Sequence, residues 1–169
     1  WIDARFALSW TIRAMDFMVR AANNDFSGLA ERADALAEQV VAAIDAGKDD
    51  EILVVGHSVG APVAIMVLAR VLTQRPGAGA HGPKLSLLTL GQTMSTCFLM
   101  PGERSGLLAD GVTVRDADQI YWLDVTSPTD GASGCTLQPL HRLDIKPGRP
   151  HRRSPMFHLI VDPKIYRHI

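Results

Sequence analysis

EILVVGHSVGAPVAIMVLARVL, residues 51–72, joins an apolar strand pattern to an apolar helix pattern through a Gly-x-Ser-x-Gly turn. The run 52–55 shows no polar alternation, which is typical of a central parallel strand covered on both faces. The helix pattern covers 61–72, and Pro62 falls in its first turn, where a missing N–H costs little. Strand, turn and helix together predict one unit of a parallel α/β sheet.

Ser58 lies at the centre of this turn, where a catalytic serine needs a sharp, strained strand-to-helix corner. We expect Gly56 and Gly60 to keep side chains out of that corner. The following helix would direct its dipole and free N–H groups at Ser58, which suits an oxyanion. We therefore predict Ser58 as a nucleophile and the N–H of Val59 as an oxyanion donor. His57 cannot easily reach back to its neighbour, so we interpret it as a packing or pocket residue.

Two other interpretations of the turn stay open. A dinucleotide-binding turn is also rich in glycine, but it needs a third glycine where Pro62 or Val63 stands. It also needs an acidic residue about 20 positions on, and residues 70–88 contain neither Asp nor Glu. The second interpretation is a hydrolase-like fold that has no catalytic activity.

The segments on either side of the turn extend the α/β pattern. Residues 1–22 have the spacing of an amphipathic helix. A second helix is predicted from an N-cap at Ser27 to a stop at Gly47. Its predicted apolar face comprises Leu29, Ala33, Leu36, Val40, Val41 and Ile44.

Further along, residues 84–90 and 120–125 predict two more buried strands. Residues 94–111 and 132–155 are interpreted as irregular or loop-like. A last apolar patch, residues 156–161, precedes a predicted short helix at the end of the chain.

Composition narrows the class of protein. The chain has 169 residues and a net charge of −1, which predicts one domain and gives no reason to expect nucleic acid as a partner. No apolar run approaches the roughly 20 residues of a membrane span, and no signal peptide pattern is present. Cys97 and Cys135 are too few for a disulfide framework, which favours a cytoplasmic location. Because the chain begins at Trp1 rather than Met, we expect a piece of a longer protein.

VVGHSVGAPVA, LSLLTLGQT and YWLDVTSPTDGAS together resemble the α/β-hydrolase fold. They are similar to a bacterial group of largely uncharacterised, lipase-like and esterase-like members. The resemblance implies a mostly parallel sheet with packing helices, and a catalytic order of Ser, Asp and His. The 169 residues would then be a single incomplete domain of this fold.

Two carboxylates compete for the role of the acid. Asp124 lies within the strand 120–125, and Asp130 lies in the loop beyond its carboxyl end. Because chemistry in parallel α/β sheets gathers at the carboxyl ends of the strands, we favour Asp130. An ordinary turn aspartate before Gly131 is the alternative interpretation.

No histidine in the sequence is an obvious base. His81 falls at the wrong end of a strand, and His141 and His151 lie in an Arg-rich stretch. Members of the similar group carry a His-Phe-type motif after a helix like 162–169, so we place the base beyond Ile169. His158 and His168 are the alternatives within the chain.

The resemblance implies a serine hydrolase acting on an ester or other acyl substrate, without a metal or organic cofactor. The second oxyanion donor is expected before Trp1, so the 169 residues alone are expected to be inactive. An acyl pocket or lid is one interpretation of the residues after the second strand, and core packing is the other; these are Met94, Phe98, Leu99 and Met100. A non-catalytic scaffold is the alternative function, with the Arg-rich segment 142–153 binding an acidic partner. The oligomeric state is not predicted.

Overall fold

The computed structural model describes residues 8–22, 27–94, 106–128 and 150–156, together with positions 130, 133, 159, 161, 162 and 164. Four helices and four strands lie in these ranges. The helices are α1 (Leu8–Ala22), α2 (Leu29–Ala46), α3 (Gly60–Gln74) and α4 (Gly106–Asp116). The strands are β1 (Glu51–His57), β2 (Lys84–Leu90), β3 (Ile120–Val125) and β4 (His151–Arg153).

The four strands form one parallel sheet in the order β1-β2-β3-β4. Parallel neighbours need crossover connections, and α3 and α4 lie in the first two of these. Successive right-handed crossovers in one direction lie on the same face of a sheet. In agreement with this, α3 packs against β1 and β2 while α4 packs against β3 and α3. The predicted parallel α/β architecture is confirmed.

Helix α3 forms the centre of the core. Ile65, Leu68 and Val71 are fully buried, because α2, α4 and β1 all contact this helix. A helix covered on most of its circumference is expected to be apolar all round, and the sequence of α3 is. Leu87 and Trp122 complete the core from the face of the sheet that α3 covers.

The opposite face of the sheet differs from expectation. Leu53 and Val55 of β1 are 53% and 52% exposed, and Tyr121 of β3 is 53% exposed. Among the described strands, β1 also lies at one edge of the sheet. The prediction of a central strand covered on both faces is therefore not met within the described residues. A continuous apolar run identifies a parallel strand, but it does not specify which other segments cover it.

Two elements appear where irregular structure was predicted. Helix α4 falls partly in the segment 94–111, where Gly106 and Gly111 weaken the helical signal. Strand β4 falls in the predicted loop 132–155, and its three residues are polar and exposed. Pairing with β3 holds it there, and the ring of His151 stacks on Tyr121 with 5.0 Å between centroids.

Helix α2 begins one residue later than predicted. Its N-cap is Gly28, whose φ of 79° turns the chain without a capping side chain, so the predicted cap at Ser27 is wrong. The predicted stop at Gly47 is confirmed by its left-handed φ of 57°. Ala33 and Ala37 are fully buried, whereas Leu36 of the predicted apolar face is 45% exposed.

The predictions near the chain ends fall partly outside the described residues. Helix α1 confirms the first amphipathic helix from Leu8 onward, with Met18 and Ala21 buried. In the patch 156–161, Met156 and Leu159 are 51% and 70% exposed, so these two residues do not belong to a core.

Candidate active site

Ser58 occupies a strained position between β1 and α3. Its φ is +53°, a left-handed conformation that costs a residue with a side chain roughly 1–2 kcal/mol. Two backbone hydrogen bonds hold it there. The N–H of Ser58 donates to the Leu90 carbonyl at 2.8 Å, and the Ser58 carbonyl accepts from the Ala61 N–H at 3.1 Å. Such strain persists only where the surroundings enforce it, and it is the geometry that a nucleophile elbow requires.

The two glycines of the elbow have different reasons for being there. A Cβ on Gly56 would lie 2.6 Å from the Ala61 Cα and 2.9 Å from the Ala64 Cβ, so α3 approaches β1 closely only because Gly56 has no side chain. A Cβ on Gly60 would meet nothing within 4 Å. The prediction of a crowded corner is therefore confirmed for Gly56 and is wrong for Gly60.

Val59 is the N-cap residue of α3, with φ of −66°. The first N–H groups of a helix have no partner within the helix, and they carry the positive end of its dipole. Helix α3 thus begins directly after Ser58, with its amino end at the serine. The arrangement can stabilise negative charge that develops next to the Ser58 side chain.

Asp130 lies in the loop that follows β3. Its N–H donates to the Ser127 carbonyl at 3.0 Å, and its own carbonyl accepts from the N–H and the Oγ of Ser133, both at 3.2 Å. The side chain is exposed, and its Oδ2 lies 3.2 Å from the point that a Cβ on Gly91 would occupy. Because Gly91 follows β2, the Asp130 carboxylate reaches across the end of the strand that separates β1 from β3.

The spacing of the strands relates this carboxylate to the serine. Ser58 follows β1 and Asp130 follows β3, so two strand separations, about 10 Å, lie between the chains that carry them. An imidazole ring with a hydrogen bond of about 2.8 Å on each nitrogen fits into a gap of this size once both side chains lean inward.

Asp124 occupies a different environment. It is 1% exposed and lies within β3, and its Oδ1 accepts a hydrogen bond of 2.6 Å from the Thr89 Oγ1. The Trp122 Nε1 donates to the same Thr89 oxygen at 3.1 Å. Burial raises the pKa of Asp124, although the Thr89 hydrogen bond and the charge of Arg152 oppose the shift. Asp124 belongs to a buried polar row beneath the carboxyl edge.

Three of the six histidines lie in the described part of the chain. His57 is exposed at the end of β1, His81 is exposed in the turn before β2, and His151 lies in β4 against Tyr121. The prediction that His151 lies in a loop is wrong, since it is a residue of β4, and it is exposed there. His141, His158 and His168 lie outside the described residues.

The turn after β2 contains a buried polar residue that the sequence did not single out. Gln92 is fully buried, and its Oε1 accepts a hydrogen bond of 2.8 Å from the Met94 N–H. Its Nε2 has no hydrogen-bond partner among the described residues. The only sequence signal was a Gly-Gln-Thr tripeptide at the end of an apolar strand.

Met94 itself belongs to the core and is fully buried, which resolves the choice between pocket and core for this residue. The other three residues of that prediction, Phe98, Leu99 and Met100, lie outside the described residues. Within the described ranges, no group of three or more His, Cys, Asp or Glu side chains could hold a metal ion. None of the helices described is both long and apolar enough to cross a membrane.

A parallel sheet with a strained serine between strand and helix is the arrangement of the α/β-hydrolase fold. The family model for lipase (class 3) matches residues 4–97, more than half of the chain, and the chain belongs to this family. The match covers the elbow and ends before Asp130. No curated protein and no solved structure matches the chain.

Proposed function

We propose that the protein is a serine hydrolase of carboxylic esters. Membership of the class 3 lipase family supports a lipase-like or esterase-like hydrolase, and a small-molecule ester as its substrate. The observation that carries the proposal is the positive φ of Ser58 at the amino end of α3, since a merely structural serine gains nothing from this strain. A bacterial origin, a cytoplasmic location and a single incomplete domain stay predictions from the sequence.

The proposed reaction proceeds through an acyl-enzyme. The Ser58 Oγ attacks the ester carbonyl carbon while a histidine accepts the hydroxyl proton, and the Val59 N–H stabilises the oxyanion that forms. The intermediate collapses, the histidine returns the proton to the departing alcohol, and the acyl group stays on Ser58. Water then attacks the acyl group by the same route. In this scheme the Asp130 carboxylate orients the imidazole and stabilises its charged form.

The proposed base is a histidine beyond Ile169, with His158 and His168 as alternatives within the chain. Support comes from the positions of the described histidines. His81 lies before the amino end of β2, and His151 is a residue of β4, the strand farthest from β1. We place the second oxyanion donor before Trp1.

A fluorophosphonate probe tests the proposal, together with hydrolysis of a p-nitrophenyl ester, on the protein with its natural termini. We expect an adduct on Ser58, no adduct in the Ser58→Ala variant, and a loss of turnover of about 10⁴–10⁶-fold in that variant. Asp130→Asn should lower turnover by about 10⁴-fold. Asp124→Asn is the matched control and should stay within a few-fold of the wild type.

Each outcome separates the candidate functions. An intact protein that neither reacts with the probe nor hydrolyses the ester would overturn the proposal and favour a non-catalytic scaffold. A large loss of turnover in Asp124→Asn with none in Asp130→Asn would identify Asp124, in β3, as the orienting acid. Labelling of the 169-residue chain alone would place the base at His158 or His168.

A further inference from the structure

The turn after β2 contacts both of the residues proposed for catalysis. We call residues 91–93 the β2 turn. On one side, the Leu90 carbonyl accepts from the Ser58 N–H, and the Thr93 Oγ1 donates to the Ser58 carbonyl at 3.4 Å. On the other side, the Gly91 N–H donates to the Val125 carbonyl at 2.8 Å, which ties the turn to the end of β3.

Gly91 is the residue of this turn that meets Asp130. Its φ is +52°, and a Cβ at this position would lie 3.2 Å from the Asp130 Oδ2 and 4.0 Å from the Ser133 Cβ. A contact of 3.2 Å is tighter than nine in ten real Cβ contacts, so a side chain here would push the carboxylate away by a few tenths of an ångström. A side chain at position 91 would therefore crowd the Asp130 carboxylate in the position that it occupies.

The β2 turn cannot easily move to accommodate a side chain. Gln92 and Met94 are fully buried and Thr93 is 5% exposed. The hydrogen bond from the Met94 N–H to the Gln92 Oε1 closes the turn from within. Because the turn is anchored in the core and the Asp130 side chain is exposed, a clash at Gly91 would displace the carboxylate rather than the turn.

We propose that Gly91 is a positioning residue, whose missing side chain fixes how closely the Asp130 carboxylate approaches the end of β2. This inference rests on the proposed role of Asp130 as the orienting acid. A carboxylate displaced by a few tenths of an ångström holds the imidazole less well and stabilises its charged form less. Turnover should fall, and substrate binding should be unaffected.

The experiment compares Gly91→Ala with Gly82→Ala in the protein with its natural termini. Gly82 has a similar left-handed φ of +78°, but a Cβ there would meet nothing within 4 Å. Both variants carry the backbone penalty, and only Gly91→Ala carries the contact with Asp130. We expect kcat to fall about 3- to 10-fold in Gly91→Ala, with KM within two-fold of the wild type. Gly82→Ala should retain the wild-type kcat.

Two further readouts separate positioning from a general structural defect. The acidic limb of the kcat/KM profile should move to lower pH in Gly91→Ala, because a less stabilised imidazolium loses its proton more easily. In an Asp130→Asn background, Gly91→Ala should add no further loss of kcat, since the interaction that it disturbs is already gone.

The outcomes distinguish a failure of this inference from a failure of the proposed function on which it rests. If Asp130→Asn is nearly inactive while Gly91→Ala matches Gly82→Ala, only the role of Gly91 is wrong. A loss in Gly91→Ala that persists undiminished in the Asp130→Asn background would also overturn it. If Asp130→Asn leaves turnover unchanged, the role of Asp130 fails, and the positioning role fails with it.

Discussion

The close approach of α3 to β1 at Gly56 predicts a large penalty for a single methyl group. A Cβ at Gly56 would lie 2.6 Å from the Ala61 Cα, about 1 Å closer than the 3.5–4.0 Å at which carbon atoms pack. Neither neighbour can swing away, because the contacts are with the backbone and the Cβ of Ala64 rather than with a flexible side chain. We therefore expect Gly56→Ala to lower the free energy of unfolding by about 3 kcal/mol or more, the upper end of overpacking effects.

Thermal unfolding would check this value. A loss of about 3 kcal/mol corresponds to a fall in Tm of about 6–12 °C for a domain of this size. Gly60→Ala is the matched control in the same turn, since its Cβ would meet nothing within 4 Å. It should be neutral, or stabilising by up to about 1 kcal/mol, because alanine favours a helix more than glycine does. A Tm for Gly56→Ala within 2 °C of the wild type, or an equal loss in both variants, would refute the argument.

Two other residues give predictions that stability measurements can check. Burial raises the pKa of Asp124, so the folded state keeps a proton that the unfolded chain loses above about pH 4, and stability falls as pH rises through that range. In Asp124→Asn, stability measured by urea unfolding should fall less steeply between pH 4 and 7. Part of the pH dependence should remain, because burial also raises the pKa of Asp110. An unchanged dependence of stability on pH in this variant would contradict the prediction. Ser58→Gly should raise stability by about 1 kcal/mol by relieving the positive φ, whereas Ser58→Ala keeps the strain and should not. Equal unfolding midpoints for these two variants would show that Ser58 carries no strain.

The elbow could be predicted from the sequence because every part of it is local. Strand, turn and helix follow one another within residues 51–72, and the apolar periodicity changes at the turn. The strands at 84–90 and 120–125 were equally clear, and the structure has both with the predicted bounds. Buried parallel strands are short, apolar and bounded by polar or glycine residues, so little tertiary information is needed to locate them.

Helix α4 and strand β4 could not be predicted because tertiary contacts determine them. Helix α4 has two glycines and only a weak apolar face, and it is held by its packing against α3. Strand β4 has no apolar residue at all and exists through its ladder with β3. The exposure of Leu36 could not be predicted for the same reason. The sequence shows an apolar stripe on α2, but it does not show how closely α3 approaches Ala33 and Ala37.

The candidate site also depends on contacts that no single segment contains. The choice between Asp124 and Asp130 followed from their positions relative to the end of β3, but the contact between Asp130 and Gly91 joins two separate loops. Register explains why the contact arises: Leu90 pairs with Val125, so β2 and β3 end at the same level and Gly91 and Thr126 follow them. A sequence pattern shows where each strand ends, but only the pairing of β2 with β3 shows that their two ends lie side by side.

The same register separates the residues that stabilise the sheet from those proposed to act on substrate. Gly56, Thr89 and Asp124 form one row across the sheet, and each is buried. Two positions further along their strands, Ser58 and Gly91 both have positive φ, and the layer that they form is more accessible to solvent. The strain at Ser58 is tolerated because both its backbone N–H and its carbonyl are hydrogen-bonded. Substitutions in the lower row should therefore act first on stability, whereas substitutions at the edge should act first on turnover.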